Sequence, residues 1–496
     1  MLSPPNSALP RVLPRQSFTR FLRVLLPSFV ADRIFPEHRT TYRVHPTSYL
    51  DGLRGIAAVI VFFCHYTENN FSALIPSYGL NYDRTSSLVQ LPYLRIIFSG
   101  RPMVHIFFVI SGFVLSYKPV QALHSRDLEK FYTTLASSTF RRAFRLFGPC
   151  VVSTFLILCL RQIGYLRPAR DTLSEELWKW KGAVFHQVTW PWSWDFDLKP
   201  AYDIHLWTIP IEFAHSMLLF MVLLMLSRVK LHLRMASVFA LVIYCLMCGR
   251  WAGFEFLAGL FLAEIFVIKS AREKDWESSD REQAQNSTSA MIIKTAQIAI
   301  ILIGLFIGGW PNHDADKTPG IRYFNSKTPD PFATMDYLAP QKFWFGVSAV
   351  FMVWAIGELD GLKKFFEGPL AQYCGRISYA VYICHGPVMD LFQRALIGRP
   401  AVPAHGEQEE TDFAAGGLLP DSGVKSVFGI STTFQITVSW FVGLWLLGPL
   451  VIWAADIFWR AVDDPIVKLG KRLEVACLDD SSEQPNPRSQ GYSLAA

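Results

Sequence analysis

Arg54 and His65 stand eleven residues apart, in Leu50-Asp51-Gly52-Leu53-Arg54-Gly55 and Phe63-Cys64-His65-Tyr66. On a helix eleven positions make three turns, so guanidinium and imidazole lie near one face, roughly 16 Å apart along the axis. Apolar residues separate them. A cation at the mouth of a helical bundle and a titratable ring deep inside suit an anionic substrate that enters from the cation's side. Taken alone, a snorkelling arginine and an interfacial histidine explain the pair more simply. A second stretch, Leu206-Trp207-Thr208-Ile209-Pro210-Ile211-Glu212-Phe213-Ala214-His215, sets Glu212 and His215 at i, i+3 on one face. A carboxylate beside an imidazole fixes its tautomer and stabilises the imidazolium formed when the ring takes a proton. Glu-x-x-His also serves di-iron bundles, but those need a second copy and two further glutamates. The sequence offers neither, so no metal is expected.

Arg141-Arg142-Ala143-Phe144-Arg145 forms a third group. Arg142 and Arg145, again i, i+3, would present two guanidiniums to one place, with Arg141 alongside. Paired guanidiniums suit phosphates, although positive charge flanking a membrane span explains these residues equally well when taken alone. Tyr379, Tyr382 and His385, spaced by three, draw a polar stripe along an apolar helix. The stripe reads either as hydrogen-bonded packing between helices or as part of a site. Ser111, Tyr379 and Tyr382 are the hydroxyl candidates for stabilising an oxyanion. His105 either lines the same cavity or sits at a helix end. Cys245-x-x-Cys248 falls within an apolar run, where thiols serve as filler.

These groups need a scaffold, and the composition specifies one. Of 496 residues 51% are hydrophobic and only 18% charged, below the roughly 25% charge of soluble chains. A disordered or nucleic-acid-binding protein is excluded, and the net charge of +6 must be read by side of a membrane. Ten apolar segments, near 53–67, 103–117, 146–162, 206–227, 235–249, 251–268, 292–309, 343–357, 374–396 and 434–458, predict an all-α integral membrane protein. Its roughly ten transmembrane helices form one bundle. The fifth and sixth meet at Gly249-Arg250-Trp251 and predict a tight hairpin. With the N-terminus cytosolic, inner segments hold 29 Lys and Arg and outer ones of similar length hold 15, which places both termini in the cytosol. Residues 1–44 read as a basic leader, amphipathic on the inner leaflet or without structure, with Phe18, Phe21, Leu22, Leu25 and Phe29 between arginines. Residues 45–460 form the helical domain, and 461–496 a polar tail expected to be disordered. The Trp-rich loop 163–205 is expected to cap the outer mouth. Eight scattered cysteines match neither a disulfide framework nor a zinc pattern. A transporter or flippase using the intramembrane Arg, His and Glu for proton coupling is the competing class, but no matched pair of interrupted helices supports it.

Five stretches, in order, resemble the acyltransferase 3 family of multi-pass membrane acyltransferases: Asp51-Gly52-Leu53-Arg54-Gly55 leading to His65; Phe107-Phe108-Val109-Ile110-Ser111-Gly112-Phe113; Arg142-x-x-Arg145; Trp207-Thr208-Ile209-Pro210-Ile211-Glu212; and Ile377-Ser378-Tyr379-Ala380-Val381-Tyr382-Ile383-Cys384-His385. They cover roughly 46–460, without the hydrolase-like domain that some bacterial relatives append. The resemblance implies an O-acyltransferase that moves an acyl group, most often acetyl from acetyl-CoA as co-substrate, to a hydroxyl of a small natural product, glycan or lipid. It further implies that His65 and Arg54 are essential, with Glu212 as the acid of its motif. Arg142 and Arg145 are then expected near the CoA phosphates, and no cofactor is bound permanently. His215 and His385 join the hydroxyl residues as substrate-side candidates. Membrane lipids are the expected surroundings, in the endoplasmic reticulum or another endomembrane.

Overall fold

A computed structural model describes residues 25–34, 45–81, 86–166, 172–195, 198–275, 288–398 and 423–478. Helices dominate, with no strand among the described residues. The main ones are α1 (Ser28–Ile34), α2 (Ser48–Asn70), α3 (Arg101–His124), α4 (Leu128–Gln162), α5 (Leu173–Ala183), α6 (Thr208–Leu226), α7 (Leu231–Met247), α8 (Trp251–Asp275), α9 (Thr288–Gly308), α10 (Ala339–Glu358), α11 (Asp360–Phe366), α12 (Pro369–Leu396), α13 (Thr433–Phe458) and α14 (Asp464–Cys477). Their ends follow local chemistry. The Asp127 carboxylate accepts the Lys130 amide at 2.9 Å to start α4, and Thr432 with Gln435 forms a capping box before α13. Gly249, at φ 68°, turns α7 into α8 as the expected hairpin.

All ten expected apolar segments are helical. Among the described residues, seven helical runs are long and apolar enough to cross a membrane, so the molecule is a multi-pass membrane protein. The expected count of ten meets three departures. α7 is only 17 residues long. α10 qualifies only together with α11, and the two are bent by 97°. α12 carries Gln372, Arg376, His385 and Asp390 along its length.

Two helix pairs set the geometry, and both rest on glycine. α2 packs along α12, where a Cβ on Gly55 would lie 2.2 Å from the Gly375 nitrogen and one on Gly375 2.4 Å from the Asp51 carbonyl. α3 packs along α8, where a Cβ on Gly112 would lie 2.2 Å from the Phe256 carbonyl. Small residues at such crossings let the backbones approach. One apolar core gathers around α2, α12 and α13, and a second around α3, α6 and α8.

Both terminal expectations need amendment. α1 is anchored on protein: Ser28 donates from N–H (3.0 Å) and Oγ (2.6 Å) to buried Asp456, and Phe29 sets its edge against Tyr373. Phe18, Phe21 and Leu22 lie outside the described residues. Residues 464–477 of the polar tail form α14, because they are amphipathic and pack on α4. Ile466 lies over Gly148, and Glu474 pairs with Arg141 at 3.0 Å. The rest of the tail lies outside the described residues. Within loop 163–205, Trp180 donates to Thr154 (3.1 Å) and Trp194 packs on His215, so its described parts do fold back over the bundle.

Candidate active site

The close α2–α12 contact brings Arg54 and His65 onto a common partner. The Arg54 Nε donates to Ser378 Oγ (3.0 Å) and its Nη2 to the Gly375 carbonyl (3.3 Å), with Asp51 at 3.1 Å. His65, three turns on, stacks with His385 of the same α12, ring centroids 5.4 Å apart. A third ring, His205, meets His65 at 4.4 Å and His385 at 4.5 Å. His205 belongs to a short 3-10 turn, Ile204–Trp207, that leads into α6. Buried Asp203 caps that turn, and its Oδ1 accepts both the His205 amide (3.0 Å) and His205 Nδ1 (2.7 Å). Gly386 admits this turn, since a Cβ there would lie 2.6 Å from His205 Nδ1.

The hydrogen bonds fix the tautomers. His65 Nδ1 faces the Glu68 carboxylate at 3.3 Å, His205 Nδ1 faces Asp203, and His385 Nδ1 faces the Tyr382 (2.7 Å) and Val381 (3.2 Å) carbonyls. Carboxylates and carbonyls only accept, so each Nδ1 carries a proton, and in the neutral ring Nε2 keeps the lone pair. His65 therefore has the arrangement a general base needs: a free nitrogen, an anionic partner behind the ring, and a side chain one third exposed. Asn312 steadies Glu68, donating at 2.7 Å. Glu68 also borders a small pocket, which Arg95, Arg101, Asn312 and Trp310 help to line.

The other expected residues separate. Glu212 does not pair with His215. Its carboxylate accepts from Arg142 Nη2 (2.7 Å) and Ser111 Oγ (3.0 Å), whereas His215 donates to the Ile211 carbonyl (2.8 Å) and packs on Trp194 and Phe256. One face of a helix is wide enough for two side chains to find different neighbours. Arg142 points inward and is buried, with its Nε held by Ser216 Oγ at 2.9 Å. Arg145 is exposed, close enough to Arg54, Arg142 and Asp463 to act on their charge. Arg141 leaves the group for Glu474. All three oxyanion candidates have committed their protons: Ser111 to Glu212, Tyr379 to the Leu146 carbonyl (2.5 Å), and Tyr382 to the His205 carbonyl. Each of these bonds ties its residue to a different element of the bundle. His105 is elsewhere, bound to Glu255 at 2.5 Å.

The sequence reading passed over His205, Asp203 and Glu68. Glu68 was within reach, since His65-x-x-Glu68 has the same i, i+3 spacing that drew attention to Glu212 and His215.

A family model described as "Acyltransferase domain" matches residues 47–460. The chain belongs to the acyltransferase 3 family. This acyltransferase is 30% identical over 424 residues to "O-acetyltransferase PaAT-1" of Phomopsis amygdali, covering 79% of the chain and 81% of that protein. It is 23% identical to "Acyltransferase clz18" of Cochliobolus lunatus, covering 68% and 82%, and 24% identical to "Acyltransferase R4" of a Phoma species, covering 86% and 95%. No solved structure matches the acyltransferase.

Proposed function

We propose that this acyltransferase moves an acetyl group from acetyl-CoA to a hydroxyl of a small natural product, glycan or lipid, with His65 as general base. The observation that carries the reading is the partly exposed His65 ring, backed by Glu68 at Nδ1 and set on the same helix as Arg54. As the acceptor oxygen attacks the thioester carbonyl, its proton passes to His65 Nε2. The tetrahedral intermediate collapses by breaking the C–S bond, and the imidazolium returns the proton to the departing thiolate. Transfer is direct, with no acyl-enzyme. Arg54 and exposed Arg145 supply the positive charge for the anionic end of the donor, and Arg142 holds Glu212. The donor docks from the cytosolic side of an endomembrane, in a ten-span bundle with both termini cytosolic. The printed name of the Phomopsis relative supports acetyl as the group transferred.

Purified protein incubated with radiolabelled acetyl-CoA and a panel of alcohols tests this. Labelled ester should form with wild type and vanish in His65→Ala at unchanged folding and expression. Undiminished transfer in that variant removes His65 from the mechanism.

A further inference from the structure

The centre of the site is short of donors. His385 Nε2 is fully buried without a hydrogen-bond partner, and so is the second carboxylate oxygen of Asp203, Oδ2. Both atoms are acceptors. With every Nδ1 proton directed outward to a carboxylate or carbonyl, the second nitrogen of each neutral ring offers a lone pair. One ring nitrogen from each of the three lies within 4.8 Å of the others. Lone pairs gathered in a low-dielectric interior repel one another unless something electropositive sits among them.

We propose that His65, His205 and His385 form a capture site for a late first-row divalent cation, of which Zn2+ is the type, and that its binding reversibly switches the enzyme off. Neutral imidazole is the ligand such ions prefer over the oxygen ligands of Mg2+ or Ca2+. Each ring also has the outer partner typical of a metal-binding histidine, namely Glu68, Asp203 or a main-chain carbonyl accepting from the far nitrogen. The charge fits as well, since the two carboxylates behind the rings balance a dication. Tetrahedral Zn2+ bonds nitrogen at about 2.0–2.1 Å, which places ligand nitrogens roughly 3.4 Å apart. The rings must therefore close by up to about 1.4 Å, and three protein ligands leave a fourth position open. The consequence for turnover rests on His65 being the base: a cation on its Nε2 occupies the lone pair that takes the acceptor's proton.

The test uses the full chain, purified without a polyhistidine tag and stripped with a chelator. Titration with Co2+ should produce the visible absorption of a tetrahedral ion, saturating at one equivalent and bleached by Zn2+. His205→Gln and His385→Gln should abolish that signal, and Asp203→Asn should weaken binding about 10- to 100-fold. Zn2+ should inhibit acyl transfer in the same concentration range, the chelator should restore it, and Mg2+ should do neither. Wild-type protein that binds no stoichiometric Co2+ overturns the site even if a glutamine variant fails to fold, and leaves His65-dependent transfer standing. Protein that is purified with Zn2+ and loses transfer when stripped overturns the inhibitory role and, with it, His65 as the base.

Discussion

Two of the groups in this bundle that combine histidine with carboxylate are built differently. Where α3, α7 and α8 meet, the Glu264 carboxylate accepts from Arg234 Nε (2.6 Å) and Nη2 (3.1 Å) and from His124 Nε2 (2.8 Å). Each of its oxygens is bonded, and the Glu264 and Arg234 side chains are 1% and 7% exposed. The His65–His205–His385 group turns its carboxylates to the outer Nδ1 atoms, leaves His385 Nε2 without a hydrogen-bond partner, and keeps the His65 side chain one third exposed. Charge inside a membrane bundle thus marks a functional site only when some bonding capacity is left over and can be reached. Both Glu264 oxygens are engaged, and the group serves as a clamp.

The sharpest way to break this contrast is to remove one member of each group. His65→Ala should lower kcat by about 10²- to 10⁴-fold, the range for loss of a general base, at nearly unchanged unfolding temperature in detergent. Glu264→Ala should leave Arg234 buried and unpaired and reduce stability by about 3–5 kcal/mol. Where that variant remains folded, it should turn over normally. If thermal unfolding shows the two variants equally destabilised, the distinction between site and clamp fails. The Co2+ titration sharpens the same contrast from the other side, since of the two groups only the histidine one brings three ring nitrogens within 4.8 Å of one another.

Gly386→Ala should give a smaller, local effect. Its new Cβ would fall 2.6 Å from His205 Nδ1 and 3.4 Å from Asp203 Oδ1, forcing the turn off α12. We expect about a tenfold loss in kcat/KM with little change in unfolding temperature, because His205 leaves the cluster while the α2–α12 contact at Gly55 and Gly375 stays intact. Unaltered kcat/KM would mean that His205 is not needed where it stands.

Periodicity and spacing carried the helices and the α2 site residues, because apolar run length and i, i+3 or i, i+11 positions are properties of one helix. Arg54, His65 and Glu68 share α2, and their relation could be read before any fold was known. His205 and Asp203 could not be found that way. They sit at the far end of the 163–205 loop, and only the glycine gap at Gly386 brings them to α12. The error at Glu212 has the same origin. Spacing put it beside His215, but Arg142 from α4 and Ser111 from α3 arrive from other helices and take the carboxylate. The termini failed for a related reason. The leader reads as lying on the inner leaflet or unstructured and the tail as solvated, yet Asp456 and Arg141 supply partners distant in sequence.

The arginines of α4 extend the contrast to single residues. Arg141, Arg142 and Arg145 are near neighbours of one chemical type, but their partners differ. Arg142 is used up by Glu212 and Ser216, and Arg141 by Glu474, whereas Arg145 is exposed and has no ion-pair partner among the described residues. By the rule drawn from the two histidine groups, only Arg145 has capacity left for a ligand. Arg145→Ala should therefore raise KM for acetyl-CoA about tenfold, the value of roughly 1.4 kcal/mol of lost binding, with kcat and the acceptor KM little changed. Arg141→Ala should leave both KM values alone and cost at most about 0.5 kcal/mol of stability, as expected for a partly exposed pair screened by solvent. Steady-state kinetics on the two variants decides the matter. An acetyl-CoA KM that follows Arg141 instead would mean that the α14 contact opens when the donor binds, and that the cation held by Glu474 is the one that meets the phosphates.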